Sequence, residues 1–123
     1  MPIRVLIAED NEDLRAVLSS LIDCEPDMRC VAETGVLDEV PGLAASSGAQ
    51  VVVLDLELKG RSSLKFLPQL VREIPGARIV VFSGHAIPAI VAAALAAGAS
   101  AYVLKSGEFD ELSAAIRESI GAQ

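Results

Sequence analysis

The sequence predicts an α/β protein built on a doubly wound, five-stranded parallel sheet with five helices. Short apolar runs of strand length alternate along the chain with segments whose apolar residues recur at the helical period. The run Val51–Leu54 is apolar throughout, as expected of a strand that is buried on both faces. Strands and helices that alternate in this way form a parallel sheet with right-handed crossovers and helices on both sides.

Five short apolar runs are predicted as the strands, because aliphatic residues dominate them. The second run is the weakest of the set. In chain order they are Ile3–Ala8, Arg29–Ala32, Val51–Leu54, Ala77–Phe82 and Ala101–Leu104.

The first helix is predicted between the first two strands. Asp10 or Asn11 is expected to cap it, and Glu12 and Asp13 suit the positive end of its dipole. The face that we expect to be buried consists of Leu14, Val17, Leu18, Leu21 and Ile22.

Prolines shape the next three helices. Val36–Ser47 is a weak helical segment that Pro41 interrupts, and Pro68 should make the third helix kink or begin late. Ile87–Ala97 is an alanine-rich helix with Pro88 in its first turn. The remaining stripes are Leu64, Leu67, Leu70, Val71 and Ile74 for the third helix, and Phe109, Leu112, Ile116 and Ile120 for the fifth.

Composition narrows the class of protein. The 123 residues are expected to form one domain, 1–123. Seventeen acidic and ten basic residues give a net charge of −7, which disfavours direct nucleic acid binding. Cys24 and Cys30 have the spacing of neither a metal site nor a disulfide framework. No apolar stretch is long enough for a signal or a membrane span, so we expect a cytoplasmic protein.

Polar residues stand directly after four of the predicted strands. Glu9 and Asp10 follow the first strand, Asp55 the third, Ser83 the fourth and Lys105 the fifth. Sites in doubly wound sheets lie beyond the carboxyl ends of the strands, so these side chains should converge on one rim. Taken singly, each has an ordinary alternative role as a helix cap, a turn former or a solvated side chain.

The chemistry of this set favours phosphoryl transfer. Clustered carboxylates repel each other unless a cation neutralises them, and oxygen ligands favour Mg²⁺, with Mn²⁺ as an alternative. The hydroxyl of Ser83 and the ammonium of Lys105 would hold the oxygens of a phosphoryl group beside that cation. Asp55 is then the natural nucleophile and would form an acyl phosphate.

Four segments together resemble the receiver domain of bacterial response regulators over the whole chain: VLIAEDNEDLR, VVVLDLELKG, IVVFSG and GASAYVLKS. They carry, in turn, the family's acidic pair, its phosphoacceptor, its switch hydroxyl, and its switch aromatic with the lysine. The resemblance implies the flavodoxin-like receiver fold with strand order 2-1-3-4-5. The matching residues are Glu9, Asp10, Asp55, Ser83, Tyr102 and Lys105.

The resemblance implies a phosphorylation switch rather than an enzyme acting on other substrates. A sensor histidine kinase would pass a phosphoryl group to Asp55. Mg²⁺ would be bound by Asp10, Asp55 and the backbone carbonyl of Glu57, and by Glu9 through water. The protein would catalyse only its own phosphorylation and dephosphorylation.

The resemblance also implies how the switch is read. Ser83 would move towards the phosphoryl group and the Tyr102 ring would turn inward, changing the face formed by the fourth helix, fifth strand and fifth helix. Without the resemblance, Tyr102 is an ordinary strand aromatic. Glu57 and His85 flank the route of the hydrolytic water and would tune the lifetime, although His85 is equally a solvated loop residue.

The sequence departs from the family pattern beside the phosphoacceptor. Lys59 stands where the family commonly has proline, so the loop after Asp55 is expected to be looser and more basic. Ser63 replaces a common glycine, and Ser106 stands where proline often follows Lys105.

A partner surface is predicted on the fourth helix, where four large apolar side chains cannot all face one sheet. It would serve a homodimer or an output partner, unless alanine is there simply as a helix former. The chain's ending resembles regulators of transcription that carry a helix-turn-helix output. Two alternatives stay open: a single-domain regulator that acts by protein contact, or a piece of such a longer regulator. The four side chains are Ile87, Ile90, Val91 and Leu95.

Three other interpretations compete. A haloacid-dehalogenase-type phosphatase needs its nucleophile after the first strand with a second aspartate two residues on, whereas Asp55 follows the third strand and precedes Glu57. A dinucleotide site needs a glycine-rich turn after the first strand, and AEDNED has none. A degenerate receiver that works only as an interaction module stays open because of the altered loop at Lys59.

Overall fold

A computed structural model describes residues 1–121. Its main sheet contains five strands whose neighbours are all parallel, in the order β2-β1-β3-β4-β5. The predicted doubly wound sheet and its strand order are therefore confirmed. The strands are β1 (Ile3–Ala8), β2 (Met28–Thr34), β3 (Val51–Leu54), β4 (Arg78–Ser83) and β5 (Ala101–Leu104).

Helices follow each strand of the main sheet. Asn11 is the cap of the first, because its side chain accepts a hydrogen bond from the backbone N–H of Leu14 at 3.0 Å. None of the helices among residues 1–121 is long and apolar enough to cross a membrane. The helices are α1 (Glu12–Cys24), α2 (Val40–Ser47), α3 (Leu67–Glu73), α4 (Pro88–Ala96) and α5 (Phe109–Gly121).

Two of the three helices with a proline in the first turn are preceded by a 3₁₀ turn. Leu37–Glu39 precedes α2 and Ser63–Phe66 precedes α3, and Pro41 and Pro68 then occupy the first turn of each helix. A proline is tolerated there because the first-turn N–H groups have no partner within the helix. The late start predicted for α3 is confirmed.

The core consists of two apolar layers, one on each face of the sheet. Along β1, Val5 and Ile7 point to the layer under α1 and α5, while Leu6 and Ala8 point to the layer under α2, α3 and α4. This alternation is that of a strand with helices on both sides. Aliphatic side chains build both layers, since aromatic residues make up only 3% of the chain.

The burial predicted for the first helix was partly wrong. Leu18 and Ile22 are buried, but Val17 is 52% exposed and Leu21 is 37% exposed. The helical period places all five apolar residues on one side of the helix, whereas the sheet covers only part of that side.

Backbone hydrogen bonds align the carboxyl ends of the strands at one edge. The N–H of Asp55 donates to the carbonyl of Ala8 at 3.0 Å, and that of Lys105 donates to the carbonyl of Ser83 at 2.8 Å. The N–H of Glu9 donates to the carbonyl of Thr34 at 2.9 Å. Each of these three residues is thus held by the sheet beside the last residue of a neighbouring strand.

Candidate functional site

Three carboxylates form a cluster at this edge. An oxygen from each of Glu9, Asp10 and Asp55 lies within 4.8 Å of the others. Glu9 is only 2% exposed and Asp55 only 8% exposed, while Asp10 is half-buried. Burial strengthens the repulsion between carboxylates, so the cluster requires positive charge nearby.

Lys105 supplies one such charge. Its Nζ lies 2.7 Å from Oε1 of Glu9 and donates a hydrogen bond to Oδ2 of Asp55 at 2.9 Å. Among residues 1–121, no well-aligned hydrogen-bond donor serves Oε1 of Glu9, so charge rather than hydrogen-bond geometry holds the ammonium there. Lys105 therefore contacts the carboxylates of Glu9 and Asp55, and the third carboxylate, that of Asp10, is left to a different partner.

The pKa values in the cluster diverge. Burial raises the pKa of Glu9, and its contact with Lys105 offsets this only in part. The backbone N–H of Lys59 is the main cause that lowers the pKa of Asp10. Burial lowers the pKa of Lys105, but its close contacts with the carboxylates of Glu9 and Asp55 outweigh that effect, so the pKa lies above its usual value.

Glu9 is held in place by residues at the start of α1. The N–H of Asn11 donates to Oε2 of Glu9 at 3.0 Å, and Nη1 of Arg15 donates to the backbone carbonyl of Glu9 at 2.7 Å. Sequence reasoning missed Arg15, which is one helical turn beyond the cap. Its position in the first turn of an amphipathic helix was the available signal.

The segment after Asp55 is a tight hairpin, so the expectation of a looser loop was wrong. Glu57–Leu58 pairs with Arg61–Ser62 in an antiparallel arrangement outside the main sheet. The N–H of Glu57 donates to Oδ1 of Asp55 at 3.1 Å, while the Glu57 side chain is exposed. The hairpin thus contacts the cluster through its backbone.

A cavity of about 280 Å³ opens beside Asp55. Ser83 is buried in its wall, and its hydroxyl accepts a hydrogen bond from the N–H of His85 at 3.3 Å. The His85 side chain is exposed. The residues around the cavity are Asp10, Asp55, Leu56, Glu57, Gly60, Ser83, Gly84, His85 and Lys105.

Tyr102 lies on β5, behind the loop that follows β4. Its hydroxyl donates a hydrogen bond to the backbone carbonyl of His85, and its ring is half-buried. Since Ser83 also bonds to the N–H of His85, Ser83 and Tyr102 share one residue as partner. The structure therefore connects the cavity to β5 through the backbone of His85.

The fourth helix divides its apolar residues between the core and the surface. Ile90 packs against the core layer, and Val91 is half-buried. Ile87 is 52% exposed and Leu95 is 45% exposed. The exposed apolar surface is therefore real, but it lies at the two ends of α4 rather than at Ile90.

The donor atoms of the cluster fit a hard divalent cation. Three carboxylates supply oxygen ligands within 4.8 Å of one another, and one ammonium, that of Lys105, contacts two of them. Hard cations such as Mg²⁺ take oxygen ligands of this kind and keep several waters.

Comparison with known proteins agrees with this geometry. The family model of the response regulator receiver domain matches residues 5–117. The chain belongs to the response regulator receiver family. The uncharacterized transcriptional regulatory protein YvfU of Bacillus subtilis is 32% identical to this receiver over 118 residues, which cover 96% of the chain and 59% of YvfU.

Solved structures agree with the receiver fold. A two-component response regulator of the LuxR family from Aurantimonas matches all of this chain and 88% of its own, with 29% identity and a TM-score of 0.91. A response regulator from Burkholderia pseudomallei, solved with a phosphorylated aspartic acid, a calcium ion and citrate, matches 98% of this chain and 70% of its own. Its identity is 25% and its TM-score 0.81.

The receiver spans a little over half the length of its curated relatives, which are transcriptional regulatory proteins. The identification of a receiver domain made from the sequence motifs is thereby confirmed.

Proposed function

We propose that this receiver accepts a phosphoryl group on Asp55 in a cation-dependent reaction. The observation that carries the proposal is the placement of Asp55 Oδ2 at 2.9 Å from the Lys105 ammonium, beside a cavity large enough for a phosphoryl group. An oxygen of Asp55 bonds to phosphorus as the bond to the donor's leaving group breaks. Lys105 neutralises the negative charge that develops on the phosphoryl oxygens.

The proposed cation is Mg²⁺, with Mn²⁺ as a substitute. Asp10, Asp55 and the backbone carbonyl of Glu57 would hold it directly, and Glu9 through water. When bound, the ion offsets charge on both the carboxylates and the incoming phosphoryl group. Support comes from the three carboxylates within 4.8 Å of one another, which a single lysine does not fully compensate.

Ser83 and Tyr102 are proposed as the switch pair. Ser83 turns its hydroxyl towards the phosphoryl group, and that movement releases the N–H of His85, which it contacts at 3.3 Å. Tyr102 follows because its hydroxyl is bonded to the same residue. The exposed side chains of Glu57 and His85 border the cavity and would set the lifetime of the acyl phosphate.

The proposed donor is a sensor histidine kinase, and the proposed reader binds the face formed by α4, β5 and α5. Residues 1–123 act as one receiver domain, and any output domain lies outside them. The Burkholderia relative supports the proposal because its structure holds a phosphorylated aspartic acid. Exposed Ile87 and Leu95 support an apolar contact with an output partner or a second copy.

The phosphoacceptor is tested by intact mass spectrometry after incubation with acetyl phosphate and Mg²⁺. We expect the wild type to gain one phosphoryl group, Asp55→Asn to gain none, and omission of Mg²⁺ to prevent the gain. Asp13→Asn, which removes an exposed carboxylate of α1 outside the cluster, serves as the matched control. If the wild type is not modified and also fails to bind beryllofluoride, the proposal is rejected in favour of a degenerate receiver that works only as an interaction module.

The partner face is tested by sedimentation of the beryllofluoride-bound protein. Glutamate at Ile87 or Leu95 should weaken self-association, whereas glutamate at exposed Val17 on α1 should not. An equal effect of the α1 variant would reject α4 as the specific surface.

A further inference from the structure

We propose that the hairpin after Asp55 is a positioning device that holds Asp10 and Asp55 in the relative placement that the cation requires. The positioning groups are the backbone N–H of Lys59 and the side-chain hydroxyl of Ser63. The inference rests on the proposed function, because it concerns how the same site is arranged for its cation.

The base of the hairpin is anchored to the phosphoacceptor by Ser63. This side chain is fully buried, and its hydroxyl donates to the backbone carbonyl of Asp55 at 2.8 Å. The N–H of Ser63 donates to the carbonyl of Leu56 at 2.6 Å. A buried hydroxyl with a satisfied partner resists displacement, because breaking the bond leaves a carbonyl without hydrogen bonds in the interior.

The tip of the hairpin reaches the acidic pair. Lys59 and Gly60 form its two-residue turn between the paired residues Leu58 and Arg61, and both have positive φ, 51° and 77°. This is the turn geometry that two-residue hairpins favour. In this conformation the N–H of Lys59 donates to Oδ2 of Asp10 at 2.7 Å.

The two anchors join residues that are far apart in sequence. Asp10 and Lys59 are 49 positions apart in the sequence. Because Ser63 binds the backbone carbonyl of Asp55 at the base of the same hairpin, the hairpin links Asp10 to Asp55. A carboxylate has two oxygens, so Asp10 can accept the N–H on one while the other binds a cation. Hydrogen bonds of this kind orient metal ligands, and their removal typically lowers metal affinity by about tenfold or more.

Both anchors depend on residue types at positions where this sequence departs from the family pattern. A proline at position 59 has no N–H to donate, and a glycine at position 63 has no hydroxyl. Lys59 also adopts a left-handed conformation that is uncommon for its residue type. In this left-handed conformation the backbone N–H of Lys59 is directed at the carboxylate of Asp10.

The test compares two matched serine variants in a Mg²⁺ titration followed by backbone amide NMR. Ser63→Ala removes the anchor. Ser113→Ala removes an equally buried hydroxyl that donates to the carbonyl of Asp110 at 3.1 Å on α5, away from the site. We expect Ser63→Ala to weaken Mg²⁺ binding by about tenfold and Ser113→Ala to leave it unchanged. Equal affinities in the two variants would overturn the inference.

A second measurement follows the Lys59 amide proton in the wild type and needs no variant. If this N–H positions Asp10, its hydrogen exchange stays slow both without Mg²⁺ and at saturation. Faster exchange at saturation would mean that the cation displaces the bond, and would overturn the inference while leaving Mg²⁺ binding intact. A wild type that binds no Mg²⁺ would instead remove the proposed function itself, and the inference with it.

Discussion

Nζ of Lys105 lies 2.9 Å from Oδ2 of Asp55, although 50 positions separate them in the sequence. The parallel sheet makes this contact, because it places the residues after β3 and β5 at the same edge. The same ammonium lies 2.7 Å from Glu9, so one positive charge serves two buried carboxylates.

Removing the charge of Lys105 should destabilise the protein without cation and increase its response to Mg²⁺. Lys105→Met keeps most of the aliphatic stem but leaves Glu9 and Asp55 facing each other, at a cost of about 1–3 kcal/mol. Saturating Mg²⁺ should recover part of that loss. Lys65→Met, at an exposed lysine, is the control for urea unfolding with EDTA or Mg²⁺. Equal losses in both variants would show that the cluster does not depend on the ammonium.

Glu9 should make the cation-free protein less stable as the pH rises. Its pKa is raised by burial above the usual 4.5, so the native state keeps a proton that the unfolded chain has already released. Native protein then binds more protons than unfolded protein, and the free energy of unfolding falls from about pH 4.5 until Glu9 has ionised in the native state.

This pH dependence is measured by urea unfolding in EDTA at several pH values. The glutamine of Glu9→Gln cannot titrate. Across that pH range the free energy of unfolding of the wild type should therefore fall relative to that of the variant, and at higher pH the difference between the two should stay constant. Glu12→Gln, at an exposed carboxyl on α1, is the comparison. A constant difference between wild type and Glu9→Gln would contradict the prediction.

Lys59→Asn should stabilise the hairpin. Lys59 has a φ of 51°, and asparagine tolerates this left-handed conformation better than lysine, so we expect a gain of about 0.5–1 kcal/mol. Thermal unfolding measures it. Lys59→Ala also removes the charge but keeps the unfavourable conformation, so it should show no gain. If the two variants are equally stable, the charge of Lys59 rather than its backbone explains the effect.

Gly98→Ala should destabilise the protein by about 2 kcal/mol or more. Gly98 has a φ of 117°, and an added Cβ would come within 2.8 Å of Cγ2 of Val71. Gly42→Ala is the opposite case, because Gly42 lies in α2 with nothing within 4 Å of an added Cβ. It should be neutral or stabilising by up to about 1 kcal/mol. Chemical unfolding of both variants checks the pair, and similar losses would refute the steric argument.

Local sequence patterns were sufficient to find the five strands and five helices of the main fold. The observed strands Val51–Leu54 and Ala101–Leu104 agree with the predicted ones to the residue. A short, continuous apolar run is the pattern of a strand that is buried on both faces of a doubly wound sheet. Pro68 correctly indicated the late start of α3. These features depend on residues that are neighbours along the chain, which is the information that periodicity contains.

The hairpin after Asp55 could not be predicted in this way. Its strands are two residues long, and its turn begins with Lys59, which does not indicate positive φ. The bond from Lys59 to Asp10 and the burial of Ser63 arise only when distant segments meet. The partial exposure of Val17 has the same origin, since the extent of the sheet decides which part of a helical stripe is covered.

By itself, the sequence determined the alternation of strands and helices, the family, and the polar residues at the carboxyl ends of four strands. Only the tertiary structure decided the contacts among them: Lys105 between Glu9 and Asp55, Arg15 behind Glu9, and the hairpin that joins Asp10 to Asp55. The physical reason is that periodicity and composition act over neighbouring residues. Hydrogen bonds and charge act over a few ångströms, between groups that folding alone brings together.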